Sequence, residues 1–151
     1  MSILICYDGS PSAKHALSVA HATLTGKDAI LLHVWNPPDK YLADAFGIPD
    51  AQAGPSIERL ERLGLERARA ISQEGGELAR QLGLKVEVRI ERDESNVWRT
   101  ILEVAAETDA ELIIVGTHGP TAVQSDLLGS VSNALAHHSR RPVLVVPVST
   151  S

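Results

Sequence analysis

Short apolar runs alternate with longer amphipathic stretches along the whole chain. Ile3 to Tyr7, Ala29 to Trp35, Leu112 to Val115 and Val143 to Val148 have the length and apolar density of buried strands. Val86, Val88 and Ile90 alternate with Glu87 and Arg89, so that strand has one wet face and belongs at a sheet edge. Between the strands, apolar residues recur at helical spacing. Ala13, Ala16, Leu17, Ala20 and Leu24 mark a helix from Pro11 to Thr25, with Ser10 as N-cap, proline at the first position and Gly26 closing it. Leu60, Leu63, Ala68, Ile71 and Leu78 mark a long helix from Ile57 to Leu82, ended by Gly83, with a kink expected at Gly75-Gly76. A third helix, capped by Ser95 or Asn96, carries Val97, Ile101, Val104 and Ala105 to Thr108, and a fourth spans Ser130 to His138.

One stretch breaks the pattern. Asn36 to Ser56 holds Pro37, Pro38, Gly47, Pro49, Gly54 and Pro55, and reads as a long surface loop with one helical turn around Lys40 to Phe46. Elsewhere strand follows helix follows strand. That alternation predicts an α/β domain: a parallel sheet with helices on both faces. Such sheets bind ligands outside the carboxyl ends of their strands, where the strand order reverses.

The 151 residues match one domain, 1–151, with no internal repeat. No run approaches the roughly 18 apolar residues of a membrane span. Strand-like sequence starts directly after Met1, so a cytoplasmic protein with no membrane partner is expected. A net charge of -5 and 3% aromatics argue against nucleic acid, which asks for basic patches and stacking rings. Cys6 stands alone between apolar neighbours and reads as a small buried hydrophobe.

The chemistry concentrates after the Leu112 run. Gly116-Thr-His-Gly119 is followed, nine residues on, by Gly129-Ser130. Glycines let a backbone approach a ligand closely, and a helix N-terminus offers unpaired N–H groups to phosphate. The pattern predicts a nucleotide phosphate site made mainly of main chain. The spacing Gly-x2-Gly-x9-Gly-Ser, the opening Ile3-Leu-Ile-Cys-Tyr-Asp8-Gly-Ser10, the strand Ala29 to Val34 and the tail Arg141-Pro-Val-Leu-Val-Val-Pro147 together closely resemble the universal stress protein family. The resemblance spans nearly the whole chain and fits least between Asn36 and Ser56.

It implies a Rossmann-like sheet of five strands in order 3-2-1-4-5, of the adenine nucleotide alpha hydrolase-like kind. It implies an adenine nucleotide as ligand, ATP first and ADP or AMP after it, with Mg²⁺ as a companion. Asp8 would bond the nucleoside end, and Val34 would meet adenine through its main chain. Gly116, Gly119, Gly129 and Ser130 would form the phosphate loop, with main-chain N–H groups from Val131 and Ser132. Read from the residues alone, Asp8 is equally a turn residue bonding its own backbone. The resemblance also implies a homodimer paired through Val143 to Val146, an apolar run bracketed by Pro142 and Pro147 that would otherwise leave a bare edge.

One departure from the family matters. Pro120 to Leu128 has no lysine or arginine and one acid, Asp126, where nucleotide-holding loops place basic residues. A triphosphate there must lean on the helix dipole, amides, hydroxyls and any metal, which favours weaker binding, metal assistance or a less charged adenine nucleotide. His118 lies inside the glycine loop and reads as an exposed residue. The six histidines make no zinc spacing, and no residue-built metal site is expected. No Walker A, dinucleotide fingerprint or nucleophile elbow is present, and no general base is poised to activate water, so no catalytic residue is named. The expected function is a regulatory stress-response module that binds an adenine nucleotide and changes shape or protein partner. The alternatives are a dimeric scaffold without nucleotide and a slow ATP hydrolase.

Overall fold

The computed structural model describes residues 2–24, 26, 28–37, 50–93, 96–117 and 129–148, with 50–57 described by backbone only. The elements are β1 (Ser2–Cys6), α1 (Pro11–Thr23), β2 (Ala29–Trp35), α2 (Asp50–Gln81), β3 (Val86–Arg92), α3 (Val97–Glu107), β4 (Ala110–Gly116), α4 (Ser130–His138) and β5 (Val143–Val146). All strand pairs are parallel, and the order is β3-β2-β1-β4-β5. The order implied by the resemblance is the order observed, and β3 and β5 are the two edges.

Alternate residues of the central strands feed two cores. On one face Ile3, Ile5 and Leu31 pack with Ala13, Leu17 and Ala20 of α1 and Ala79 of α2. On the other, Leu4, Leu32 and Ile113 pack with Ile101 and Val104 of α3 and Leu135 of α4. Leu4, Ile5, Leu17 and Leu31 are wholly buried, each worth about 1.5–3 kcal/mol relative to an exposed side chain.

Several boundaries differ from the sequence reading, most by one or two residues. The long helix begins at Asp50, not Ile57, so the end of the Asn36–Ser56 segment is helical. A proline past the first turn costs a helix one amide bond and crowds the carbonyl four residues before it, and the long periodic run behind Pro55 outweighs that cost. The helical turn expected around Lys40 to Phe46 lies outside the described residues. The first helix ends at Thr23, with Leu24 as C-cap. The last strand ends at Val146. The Gly75-Gly76 pair sits within one continuous helix, and its smallness has a packing cause. A Cβ on Gly75 would stand 2.6 Å from the Tyr7 ring, and one on Gly76 2.9 Å from Val88. The pair lets α2 settle against the sheet.

Candidate functional site

β1 and β4 lie side by side, with Ile5 opposite Ile114. Beyond β1 the chain enters α1 on one face of the sheet; α4, which follows β4 in the sequence, packs on the other face. A crevice opens between the two exits. It is lined by Asp8, Val34, Gly116, Gly129, Ser130, Val131 and Ser132 among others, with a volume of about 140 Å³. Seven of the eight expected site residues thus meet at one place. Gly119 and His118 lie outside the described residues.

The turn after β1 is held locally. Asp8 Oδ1 accepts from the Ser10 N–H at 2.9 Å. Gly9 between them has φ +80°, a left-handed conformation that favours glycine. Ser10 then caps α1, its Oγ accepting from the Ala13 N–H at 3.2 Å. The turn-residue reading of Asp8 is therefore realised, and Asp8 also lines the crevice.

The opposite wall is backbone. Thr117 N–H donates to Val146 O at 2.9 Å, and Thr117 O accepts from the Gly129 N–H at 2.6 Å. The Ser132 hydroxyl is buried and donates toward Thr117 O at 3.0 Å and Gly129 O at 3.1 Å. That hydroxyl ties α4 to the end of β4. The first intrahelical bond runs from Asn133 N–H to Gly129 O, so the amides of Ser130, Val131 and Ser132 precede it, and Gly129 supplies no side-chain cap. These amides and the positive end of the helix dipole suit an anion.

Gly116 has a role that its place in the motif conceals. A Cβ there would stand 2.3 Å from Ser12 Oγ and 3.0 Å from Ala13 N. Glycine is required because α1 begins directly against β4, whatever the crevice holds.

The floor includes two residues that the sequence reading did not assign to the site, Cys6 and His33. Burial, with the Asp8 carboxylate nearby, pushes the Cys6 thiol up to about 12, so it stays a neutral thiol at physiological pH. It lines the crevice, half-buried, not the deep core. His33 is buried, and its Nδ1 lies 2.8 Å from Tyr7 O. A carbonyl only accepts, so Nδ1 carries the proton. Burial holds the imidazole below its ordinary value, with Arg67 acting the same way and the Tyr7 carbonyl and Asp8 opposing. A lone polar residue in the apolar run Ala29 to Val34 was the available signal for His33. Cys6 had none.

A roomier hollow, about 620 Å³, lies at the amino ends of the strands. Its lining mixes Arg80 and Lys85 with Asp28 and Glu87. In parallel sheets ligands bind at the other end, and the crevice is the better candidate despite its smaller volume. Among the described residues no group of His, Cys, Asp or Glu is placed to hold a metal, and no helix is long and apolar enough to cross a membrane.

The profile of the family described as "Universal stress protein family" matches residues 1–147. The chain is 36% identical over 148 residues to a universal stress protein of Mycolicibacterium smegmatis, covering 97% of this chain but 45% of that longer protein. It is 35% identical over 147 residues to one of Thermus aquaticus, covering 96% of this chain and 97% of that one. The solved structure of MJ0577, from Methanocaldococcus jannaschii, superposes with a TM-score of 0.77 at 28% identity, covering 99% of this chain and 97% of that chain. More distant structures of the same fold, at 24%, 21% and 14% identity, are complexes with cAMP, with dAMP (from Archaeoglobus fulgidus) and with AMP (from Arabidopsis thaliana). The profile match over nearly the full chain, with relatives of equal length, shows that this chain belongs to the universal stress protein family.

Proposed function

We propose that the crevice binds an adenine nucleotide and that the domain is a regulatory stress-response module. The base lies against the main chain of Val34, Asp8 bonds the nucleoside end, and the phosphate end meets the amides of Ser130, Val131 and Ser132. The observation that carries this reading is the convergence of Asp8, Val34 and the uncapped N-terminus of α4 on one crevice. The adenine nucleotides held by structures of the same fold support it. Binding without turnover is the proposed role. A thermal-shift panel of ATP, ADP, AMP and cyclic AMP, with and without Mg²⁺, tests it. A rise in melting temperature with at least one of them is expected, and a flat response to all would refute it.

A homodimer through β5 belongs to the same proposal. β5 is an edge strand of four apolar residues, paired to β4 on one side. A bare apolar edge invites pairing, and a two-fold pairing is self-complementary. A second reading, a dimeric scaffold without nucleotide, is favoured by that edge alone. Light scattering together with the nucleotide panel separates the two.

A further inference from the structure

The fold leaves one face of α2 open. The helix packs on β2 and β3, with Gly64 close to the Trp35 ring and Gly76 close to Val88. At about 100° per residue, Glu74 lies on nearly the same side of the helix as Leu63. At Glu74 that side is occupied: the Tyr7 hydroxyl donates to its carboxylate, and Lys14 of α1 pairs with it. Nearer the start of α2 the same side is bare. Leu60 is 46% exposed and Leu63 52%, the two most exposed large hydrophobics among the described residues.

Two leucines at this spacing make a small patch, and the charges around them say what fits it. Arg59 and Glu66 flank Leu63 on one side, four positions before it and three after. Leu60 and Arg67 flank it on the other, three before and four after. Arg59, Glu66 and Arg67 are all exposed. Arg59 and Glu66 have no hydrogen bond or ion pair within the chain, whereas Glu61 on the same helix holds Arg92.

This arrangement is complementary to itself. Across a two-fold axis beside Leu63, two copies of α2 run antiparallel. Positions before Leu63 on one copy then stand opposite positions after it on the other. Leu63 meets Leu63. Arg59 meets Glu66 on both flanks of the axis, and Leu60 lies along the aliphatic stem of Arg67. We propose that the Leu60 to Arg67 face of α2 is a docking surface for the same face of a second copy of this chain. It lies on the β2–β3 side of the sheet, away from β5 at the far edge, and it requires no nucleotide.

Sedimentation of the full chain over a range of concentrations tests this. Leu63→Glu changes an exposed side chain, so the melting temperature should hold while the mass of the largest assembly at least halves. Arg59→Glu and Glu66→Arg each set like charges opposite one another, and each is expected to weaken association about tenfold. Mixed in equal amounts, these two variants regain both opposite-charge pairs, and the wild-type mass is expected to return. Pairing at β5 leaves the comparison intact, because every variant keeps that strand. A wild-type monomer, a mass unmoved by Leu63→Glu, or a mixture no more associated than its components overturns the proposal.

Discussion

The two walls of the crevice are built by opposite means. The β1–β2 wall holds residues with polar side chains, Asp8, Cys6 and His33. The β4–α4 wall presents main chain, organised by the Thr117 peptide, which bonds Val146 on one side and Gly129 and Ser132 on the other. A side-chain wall can be altered one residue at a time with the backbone intact. A main-chain wall depends on packing behind it, so a substitution there can strike the fold, the ligand or both, according to what its new side chain meets. The Thr117 peptide also joins the edge strand β5 to the first turn of α4 through consecutive hydrogen bonds. The two proposed roles of the domain, nucleotide binding and edge pairing, thus share one structural joint.

The sharpest break of this comparison is Gly116→Val. The new side chain would collide with Ser12 and the α1 backbone. We expect a loss of about 3 kcal/mol or more in chemical denaturation, or failure to fold. A stable Gly116→Val variant would show that α1 does not need this close approach. Gly129→Val makes the complementary case. Gly129 has φ -63°, open to any residue, so the fold should persist while nucleotide affinity falls at least tenfold, about 1.4 kcal/mol. Unchanged affinity in a folded Gly129→Val protein would remove the phosphate end from this wall.

The side-chain wall is probed by Asp8→Asn. The amide oxygen can still accept from the Ser10 N–H, so the turn and the melting temperature should hold. Affinity should fall about tenfold if the carboxylate serves the ligand, a charge-assisted bond being worth about 1.5–3 kcal/mol. An unaltered titration would leave Asp8 as a turn residue only. The smallest effect concerns His33. The fold keeps its ring neutral, whereas the unfolded chain takes up a proton below about pH 6.5. Stability should therefore decline as pH falls from about 7 toward the lowered folded-state value. Denaturation curves at pH 7.5 and 5.5 should show that decline in the wild type and less of it in His33→Gln. An identical slope in both would place the acid sensitivity elsewhere.

Much of this was legible in the chain. The periodicity of Ala29 to Trp35 and of Ser130 to His138 matched the observed β2 and α4 to the residue. Binary patterning works where an element is short, continuous and bounded by turn residues. The motif spacing brought Gly116 and Gly129 to Ser132 to one wall, and the resemblance supplied Asp8 and Val34 across from them. What stayed hidden was tertiary. Nothing local tells that Gly116 faces Ser12, more than a hundred positions away, or that the Ser132 hydroxyl turns inward to Thr117. The start of α2 was missed because Gly54 and Pro55 are strong local punctuation that a long amphipathic helix overrides. Arg141, within reach of the site as far as sequence distance goes, is anchored at the wrong end of β4 by Asp109.

The most direct measurement is a titration of ¹⁵N-labelled protein with AMP, followed amide by amide. Nucleotide binding at the carboxyl ends of β1 and β4 predicts saturable shifts at Asp8, Val34 and Gly129 to Ser132, with the amino-end hollow around Asp28, Arg80 and Lys85 left unmoved. Saturable shifts confined to that hollow, or none anywhere at millimolar AMP, would contradict it.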